Sequence, residues 1–335
     1  MRSLAWFIGA LVCSAVLTGL VRRSALAKGR LDIPNARSSH TTPTPRGGGL
    51  AIVVTAMLGG AALWWLGAFT GAAVAGALIG GALVAGVGYL DDVRGMRALT
   101  RFCVHMAAAV LATAWLLANP GAPFFTAIPQ WLSVIVLAIA IGWGINLFNF
   151  MDGIDGIAAS QSAFMAGAGA LLAAGGATSG WSDLAVVTAG ASVGFLLWNW
   201  PPAKIFMGDV GSGFLGFWLV ILAIDLHATG ALPVWTSLIL GSAFVADASI
   251  TLLRRVLRGE RWYEAHRSHA YQILARRWQS HLKVIVALWI LNVAVLLPLA
   301  YVSTVQPRFA PAIACGLVAV LAALCASIGA GRSAT

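Results

Sequence analysis

Long apolar runs alternate with short polar segments from one end of the chain to the other. A run of about 17 or more apolar residues can cross a hydrocarbon core of about 30 Å as a helix. Eleven runs meet this requirement, and they cover residues 4–21, 49–66, 70–90, 102–118, 131–149, 157–174, 184–200, 210–227, 234–252, 284–301 and 309–327. The pattern therefore predicts an all-α polytopic integral membrane protein with about eleven transmembrane helices in a single domain, residues 1–335.

Composition agrees with this pattern. Of the 335 residues, 60% are hydrophobic and only 10% are charged, which is far from the composition of soluble domains. The 38 glycines suit helices that approach each other closely within a membrane.

The basic residues predict an orientation. All but two of the 21 lysines and arginines lie in segments that follow odd-numbered spans, the exceptions being Arg2 and Arg308. By the positive-inside rule, the N terminus is periplasmic and the C terminus is cytoplasmic. The first span is interpreted as retained rather than cleaved, because Arg22 and Arg23 separate it from a possible cleavage site. A net charge of +10 suits anionic lipids and phosphorylated substrates, so nucleic-acid binding is not expected.

The acidic residues gather on the same side. Nine of the eleven lie with the arginines, and only Asp183 and Asp225 lie toward the opposite side. Three segments place Asp beside Gly at a span end: "GYLDDVRG" (88–95), "NFMDGIDG" (149–156) and "FMGDVGSG" (206–213). One carboxylate at a span end has a structural explanation, since helix ends reach hydrated headgroups. Three similar segments instead favour one shared acidic pocket.

Clustered carboxylates repel one another unless a cation neutralises them. Hard oxygen ligands favour Mg²⁺, with Mn²⁺ as an alternative, and Mg²⁺ completes its shell with water and substrate phosphates. Gly208, Gly211 and Gly213 predict a backbone that phosphate can approach closely at the start of a helix. Together these features predict a site for a diphosphate and its metal ion.

Residue spacing gives further expectations. Asp152 and Asp155, three residues apart, would share a face if that stretch is helical. Asp91 and Asp92 would point about 100° apart on a helix, so that only one of them would contact a metal directly. His266 and His269 would likewise share a face if their segment forms an amphipathic helix at the membrane surface.

With "DIPNARSSHTTPTPRGGGLAI" (32–52) and "RRVLRGERWYEAHRSHAYQIL" (254–274), the three acidic segments resemble the polyprenyl-phosphate N-acetylhexosamine-1-phosphate transferases, from about residue 30 to 275. The resemblance implies that a polyprenyl phosphate such as undecaprenyl phosphate attacks the β-phosphorus of a UDP-N-acetylsugar. UMP is released and Mg²⁺ is required. It also implies a bacterial inner-membrane enzyme whose active site is formed by cytoplasmic segments, at about residues 22–48, 91–101, 150–156, 201–209 and 253–283.

The resemblance also implies roles for individual residues. Catalytic roles fall on Asp91, Asp92, Asp152, Asp155, His266 and His269, and metal ligation falls on Asp209 with Asp152 or Asp155. Either Asp91 or Asp92 would deprotonate the lipid phosphate or attack as a nucleophile. Substrate-binding candidates are Arg46, Asn149, Lys204, Phe206, Gly208, Asp247, Arg254, Arg255 and His40. Four of these keep a second explanation: Arg46, Arg254 and Arg255 could anchor the protein to lipid, and Asp247 could form a structural ion pair with a neighbouring span.

The histidine segment, "AHRSHAYQ", is closer to the O-antigen-initiating members, whose donors include UDP-N-acetylfucosamine, UDP-N-acetylquinovosamine and UDP-N-acetylglucosamine. A muramoyl-pentapeptide donor is not expected, and a homodimer is compatible with the sequence. The main alternative is an ion-coupled membrane transporter, which predicts acids near the membrane midplane and two related halves of the chain.

Overall fold

The structure is a computed structural model that describes residues 2–34, 42–69, 73–117, 129–173, 180–260 and 266–332. Thirteen α-helices lie within these ranges. They are α1 (Arg2–Ala27), α2 (Leu50–Trp65), α3 (Ala73–Arg94), α4 (Ala98–Leu117), α5 (Gln130–Met151), α6 (Ile157–Ala173), α7 (Gly180–Asn199), α8 (Asp209–Ala228), α9 (Val234–Leu257), α10 (Ala270–Trp278), α11 (His281–Leu291), α12 (Leu297–Val305) and α13 (Ala310–Ile328). A π-helical turn, Asn292–Leu296, joins α11 and α12 into the continuous helical stretch His281–Val305.

The prediction of an all-α polytopic membrane protein is confirmed. In the described ranges, nine helical stretches are long and apolar enough to cross a membrane. Two shorter apolar helices, α2 and α6, have 16 and 17 residues. Every predicted span coincides with one of these eleven stretches. The total number of crossings and the orientation of the termini stay predictions.

Helix α8 lies at the centre of the bundle. It packs against α3 and α5 most extensively, and it also contacts α2, α6, α7 and α9. Its large side chains Phe214, Phe217 and Trp218 are fully buried. Because α8 begins at Asp209, the fold places this carboxylate at the middle of one end of the bundle.

Close contact between α5 and α8 depends on small residues. A Cβ on Gly216 would overlap the backbone of Gly144, so the two helices touch through their main chains. Lipid chains solvate apolar side chains as well as a neighbouring helix does, so the hydrophobic effect does not drive helices together in a membrane. Close packing of this kind is therefore a main source of helix association.

The segment before α2 is bound to the segment before α8. Strands β1 (Leu31–Asp32) and β2 (Thr44–Pro45) pair antiparallel. Phe206 N donates to Pro45 O at 2.8 Å, and Gly48 N donates to Phe206 O at 2.9 Å. These backbone hydrogen bonds fix Arg46 beside the N-terminus of α8.

Candidate active site

Asp92 joins two helices at the centre of the site. It lies in the last turn of α3, and its carboxylate accepts hydrogen bonds from the backbone N–H groups of Asp209 at 2.9 Å and Val210 at 3.1 Å. These are the first N–H groups of α8, which lack partners within the helix and favour a negative charge. Asp92 therefore acts as a cap on α8 supplied by a different helix.

Glycines make this contact possible. Gly208 has φ +78°, and a Cβ there would lie 2.5 Å from Asp92 Oδ2. In α3, a Cβ on Gly88 would lie 2.5 Å from the backbone oxygen of Asp209. The space at Gly208 that the sequence suggested for a phosphate is thus filled by the Asp92 carboxylate.

Two arginines hold the carboxylates together. Arg46 Nη2 lies 2.6 Å from Asp209 Oδ1, and its Nε lies 3.0 Å from Asp92 Oδ1. Arg101, in α4, binds Asp209 Oδ2 at 2.8 Å and also pairs with Asp91. Asp91 accepts a further hydrogen bond from Met96 N at 2.6 Å. We call Arg46, Asp91, Asp92, Arg101 and Asp209 the carboxylate cluster.

The charges in the cluster support one another. Burial alone would lower the pKa of Arg46, but Asp92 and Asp209 outweigh it and raise this pKa above its usual value. The guanidinium therefore keeps its charge at physiological pH. Asp91 and Asp92 diverge as expected for neighbours on a helix, since they bind different arginines.

The expectation that Asp152 and Asp155 share a helix face is wrong. Helix α5 ends at Met151, and residues 152–156 form a turn that closes at Gly156 with φ +72°. Asp152 lies within electrostatic reach of Arg46, Asp209 and Asp92, and burial together with the two carboxylates raises its pKa well above the usual value.

Asp155 points to other partners. It accepts a hydrogen bond from Ala203 N at 3.1 Å, and its Oδ2 lies 3.3 Å from His281 Nδ1. Gly156 N donates to Asn199 Oδ1 at 2.9 Å, and Asn199 Nδ2 donates to Ile205 O at the same distance. Asp155 and Asn199 thus bind the turn after α5 to the segment between α7 and α8.

Three other substrate-binding candidates lie in or near this segment. Asn149 Oδ1 accepts a hydrogen bond from Ser212 Oγ at 2.6 Å, which links α5 to α8. The Lys204 ammonium lies 5.8 Å from the centre of the Trp198 ring, on an exposed surface. Phe206 is placed by the backbone hydrogen bonds to residues 45 and 48 described above.

The two histidines precede a helix rather than lie within one. Helix α10 begins at Ala270 with His269 as its N-cap, so the expectation of a shared helix face is wrong. The rings of His266 and His269 nevertheless stack, with centres 4.9 Å apart, and Phe150 stacks on His269 at 6.1 Å. Phe150 thereby connects the histidines to the end of α5, two residues before Asp152. Burial, followed by His269 and Arg255, lowers the pKa of His266 to about 3, so this ring is neutral at physiological pH.

Asp247 positions the histidine segment. Its carboxylate is buried and accepts hydrogen bonds from Ala270 N at 2.8 Å and Tyr271 N at 3.0 Å. Asp247 Oδ1 also lies 3.4 Å from His269 Nδ1. Asp247 therefore binds the start of α10 through backbone hydrogen bonds, which differs from the ion pair with a neighbouring span considered from the sequence.

The remaining candidates lie elsewhere. Arg254 Nη1 donates to the backbone oxygens of Ala326 at 3.0 Å and Ala330 at 2.7 Å, at the end of α13. Arg255 Nη1 lies 2.7 Å from Glu260 Oε2. His40 falls outside the described residues.

Sequence reasoning missed Arg101, Asn199 and His281 as site residues. Arg101 was noticed only as a positive charge on one side of the membrane. Its pairing with Asp91 and Asp209 depends on how α4 packs beside α3, which no local spacing reveals.

The donor atoms of the site suit a hard divalent cation. Asp209 and Asp152 supply carboxylate oxygens near one another, without cysteine or histidine. Within the described ranges, no three His, Cys, Asp or Glu side chains form a metal shell by themselves. Mg²⁺ uses one or two protein carboxylates and keeps water or phosphate as its other ligands, so Asp209 and Asp152 are the residues that could hold it.

An apolar groove runs along the bundle next to the site. It has a volume of about 320 Å³ and is lined mainly by α5, α8 and α9. Near the site it includes Leu147, Phe148 and Phe244, and it extends to Val136 and Val234 toward the other end. Val136 is 40% exposed on the outer surface of the bundle, so the groove reaches the side that faces lipid.

Comparisons with known proteins identify a family and several relatives. The sequence profile described as "Glycosyl transferase family 4" matches residues 74–227. The chain is 33% identical over 307 residues to a decaprenyl-phosphate N-acetylglucosaminephosphotransferase of Mycobacterium tuberculosis (strain ATCC 25618 / H37Rv), covering 82% of this chain and 76% of the relative. It is 28% identical over 298 residues to a probable undecaprenyl-phosphate N-acetylglucosaminyl 1-phosphate transferase of Bacillus subtilis (strain 168), covering 87% and 82%. A phospho-N-acetylmuramoyl-pentapeptide-transferase of Thermosynechococcus vestitus is 32% identical over 269 residues, covering 73% and 67%.

Proposed function

Because this chain belongs to the polyprenyl-phosphate N-acetylhexosamine-1-phosphate transferase superfamily, we propose that it transfers an N-acetylhexosamine 1-phosphate from a UDP-N-acetylsugar to undecaprenyl phosphate. The observation that carries the proposal is the carboxylate cluster at one end of a membrane-spanning bundle, next to an apolar groove. A transporter that binds its ion near the membrane midplane would not need this arrangement.

The groove and the cluster suit the two substrates. The apolar groove between α5, α8 and α9 accommodates the polyprenyl chain, which stays in lipid while its phosphate reaches the cluster. The water-soluble donor reaches the same cluster from the aqueous side. We propose that this side is cytoplasmic and that the membrane is the bacterial inner membrane, in line with the distribution of basic residues.

The reaction exchanges one phosphorus–oxygen bond for another. An oxygen of the acceptor phosphate forms a bond to the β-phosphorus of the donor, and the bond between this phosphorus and the bridging oxygen breaks. UMP leaves with the electron pair of that bond, and the sugar keeps its own bond to oxygen. Such transfers depend mainly on positioning and charge neutralisation.

The residues of the cluster would supply both the positioning and the charge neutralisation. Arg46 and Arg101, which bind carboxylates in the structure, would each exchange such a contact for a donor phosphate. Asp91 or Asp92 would accept the proton of the acceptor phosphate. Asp209 and Asp152 would hold Mg²⁺ which, when bound, neutralises charge on the diphosphate and the leaving UMP.

The relatives favour a UDP-N-acetylglucosamine type of donor. UDP-N-acetylfucosamine and UDP-N-acetylquinovosamine are the other donors that the sequence suggests. We propose that the product initiates the synthesis of O-antigen, lipopolysaccharide or a related cell-envelope glycan. We also propose that the enzyme can form a homodimer.

Transfer of radiolabel from UDP-N-acetylglucosamine to undecaprenyl phosphate by the purified protein in detergent tests the function. We expect a labelled lipid product that requires Mg²⁺ and is lost on chelation. Asp209→Asn should lower the rate by about 10² or more, because it removes charge from the site. Asp183→Asn, at the opposite end of the bundle, is the control and should keep full activity. Uptake of the nucleotide sugar into vesicles without transfer would instead favour a carrier, and near-normal activity of Asp209→Asn would remove it as a metal ligand.

A further inference from the structure

A polar pocket lies beside the turn that contains Asp155, on the side facing α10 and α11. It has a volume of about 490 Å³, and its lining includes Asp155, Pro201, Arg267, Arg276 and His281. The lining holds two arginines and the single carboxylate of Asp155, so its Arg and Asp side chains sum to a charge of +1. The two arginines therefore give the pocket a net attraction for anions.

An apolar groove, here called the lateral groove, lies on the outer surface of the bundle. It has a volume of about 630 Å³ and is lined by Trp200, Val286, Trp289, Ile290, Val293 and Ala294. Trp200 is 40% exposed and Ile290 is 62% exposed. In a protein that spans a membrane, such a surface faces hydrocarbon chains.

The polar pocket and the lateral groove are lined by neighbouring residues of the same two segments. Trp200, in the groove, precedes Pro201, in the pocket. Leu282, which also lines the pocket, lies about one turn before Val286 on the same face of α11. A molecule with an anionic head and an apolar chain would contact both parts at once.

The length of this surface matches one leaflet. Leu282 and Ala294 are separated by about three turns of helix, or about 18 Å. Half of a hydrocarbon core is about 15 Å deep. An acyl chain whose headgroup occupies the polar pocket would therefore reach the end of the lateral groove at the middle of the membrane.

We propose that the polar pocket and the lateral groove bind an anionic glycerophospholipid from the leaflet on the side of the carboxylate cluster. Its phosphate contacts Arg276 and Arg267, and one acyl chain lies along α11 against Trp200 and Trp289. This site is separate from the groove between α5, α8 and α9, with which it shares no lining residue. It adjoins the active site at Asp155 and His281.

Native mass spectrometry of the full-length protein in detergent tests the proposal by titration with phosphatidylglycerol and with phosphatidylcholine of the same acyl chains. We expect the first bound phosphatidylglycerol to be favoured over phosphatidylcholine. Arg276→Gln should weaken phosphatidylglycerol binding about fivefold, from the attraction of one basic residue for an anionic lipid. Ala294→Trp, which fills the lateral groove, should lower binding of both lipids.

Arg277→Gln is the matched control, because Arg277 lies on the same helix but donates to Ile328 O at 2.9 Å, outside the pocket. It should bind phosphatidylglycerol as the unmodified protein does. Equal losses in Arg276→Gln and Arg277→Gln, or equal binding of the two lipids, would overturn the proposal. The proposal would also be overturned if undecaprenyl phosphate displaced phosphatidylglycerol at a lower concentration than phosphatidylglycerol itself, or if UMP displaced it. Either result would assign the surface to a substrate. A transfer assay on the same protein separates the lipid site from the proposed transferase function. If transfer is intact but phosphatidylglycerol and phosphatidylcholine bind equally, only the lipid site is rejected.

Discussion

At the scale of single residues, Arg101 is the most informative member of the carboxylate cluster. It is the group that connects Asp91 to Asp209, and it reaches them from α4, a helix that carries no acidic residue. Its side chain is about one-third exposed, so it can contact a phosphate that arrives from the aqueous side.

We expect Arg101→Ala to lower the rate of sugar-phosphate transfer by about 10² or more, because an arginine that stabilises transferred phosphate charge is worth at least this much in related chemistry. Arg101→Lys should recover part of the loss, since it restores the charge but not the planar contact with two carboxylates. Transfer of radiolabel, normalised to the amount of folded protein, measures both effects.

Arg97→Ala provides the control for Arg101, because this exposed arginine lies one turn earlier in the same region. It should change the rate little. Equal activity of Arg97→Ala and Arg101→Ala would show that Arg101 acts only through the general surface charge.

At the scale of elements, the contact between α3 and α8 decides whether the site exists. Gly88 lies against the backbone of Asp209, and Asp92 binds the first N–H groups of α8 one turn later. A side chain at residue 88 would meet backbone atoms, which cannot rotate away as a flexible side chain can.

Gly88→Ala should therefore separate α3 from α8, lower the melting temperature and abolish most transfer. Gly86→Ala is a matched control in the same helix, because a Cβ at that position has open space around it. The control should be as active as the unmodified protein and at least as stable, since Ala favours helix more than Gly. Equal melting temperatures and rates for the two variants would contradict this account of the contact.

The membrane-spanning helices were the part of the fold that the sequence predicted well. Long apolar runs such as 210–227 and 234–252 became helices because a membrane leaves the backbone few other ways to satisfy its hydrogen bonds. The predicted span 131–149 ends two residues before α5 does, whereas the turn that separates Asp152 and Asp155 was not predicted. The side chains that meet at the site come from α3, α4, α8 and the segment before α2, and spacing along the chain cannot show which of them touch.

At the scale of the whole molecule, the orientation in the membrane is the main prediction that follows from the charges. Arg308 and Arg97 lie at opposite ends of the predicted topology. In a variant without its four native cysteines, Arg308→Cys should react with a membrane-impermeant thiol reagent applied to intact cells. Arg97→Cys should react only after the membrane is opened, and the reverse result would place the carboxylate cluster on the periplasmic side.

The groove between α5, α8 and α9 opens toward lipid at Val136, and this has a consequence for inhibitors. A hydrophobic compound that enters the groove dissolves in the bilayer first. Its occupancy then follows its mole fraction among the lipids rather than its concentration in the buffer. Apparent potency should fall as more detergent or lipid is added to an assay, even though the affinity of the groove is unchanged.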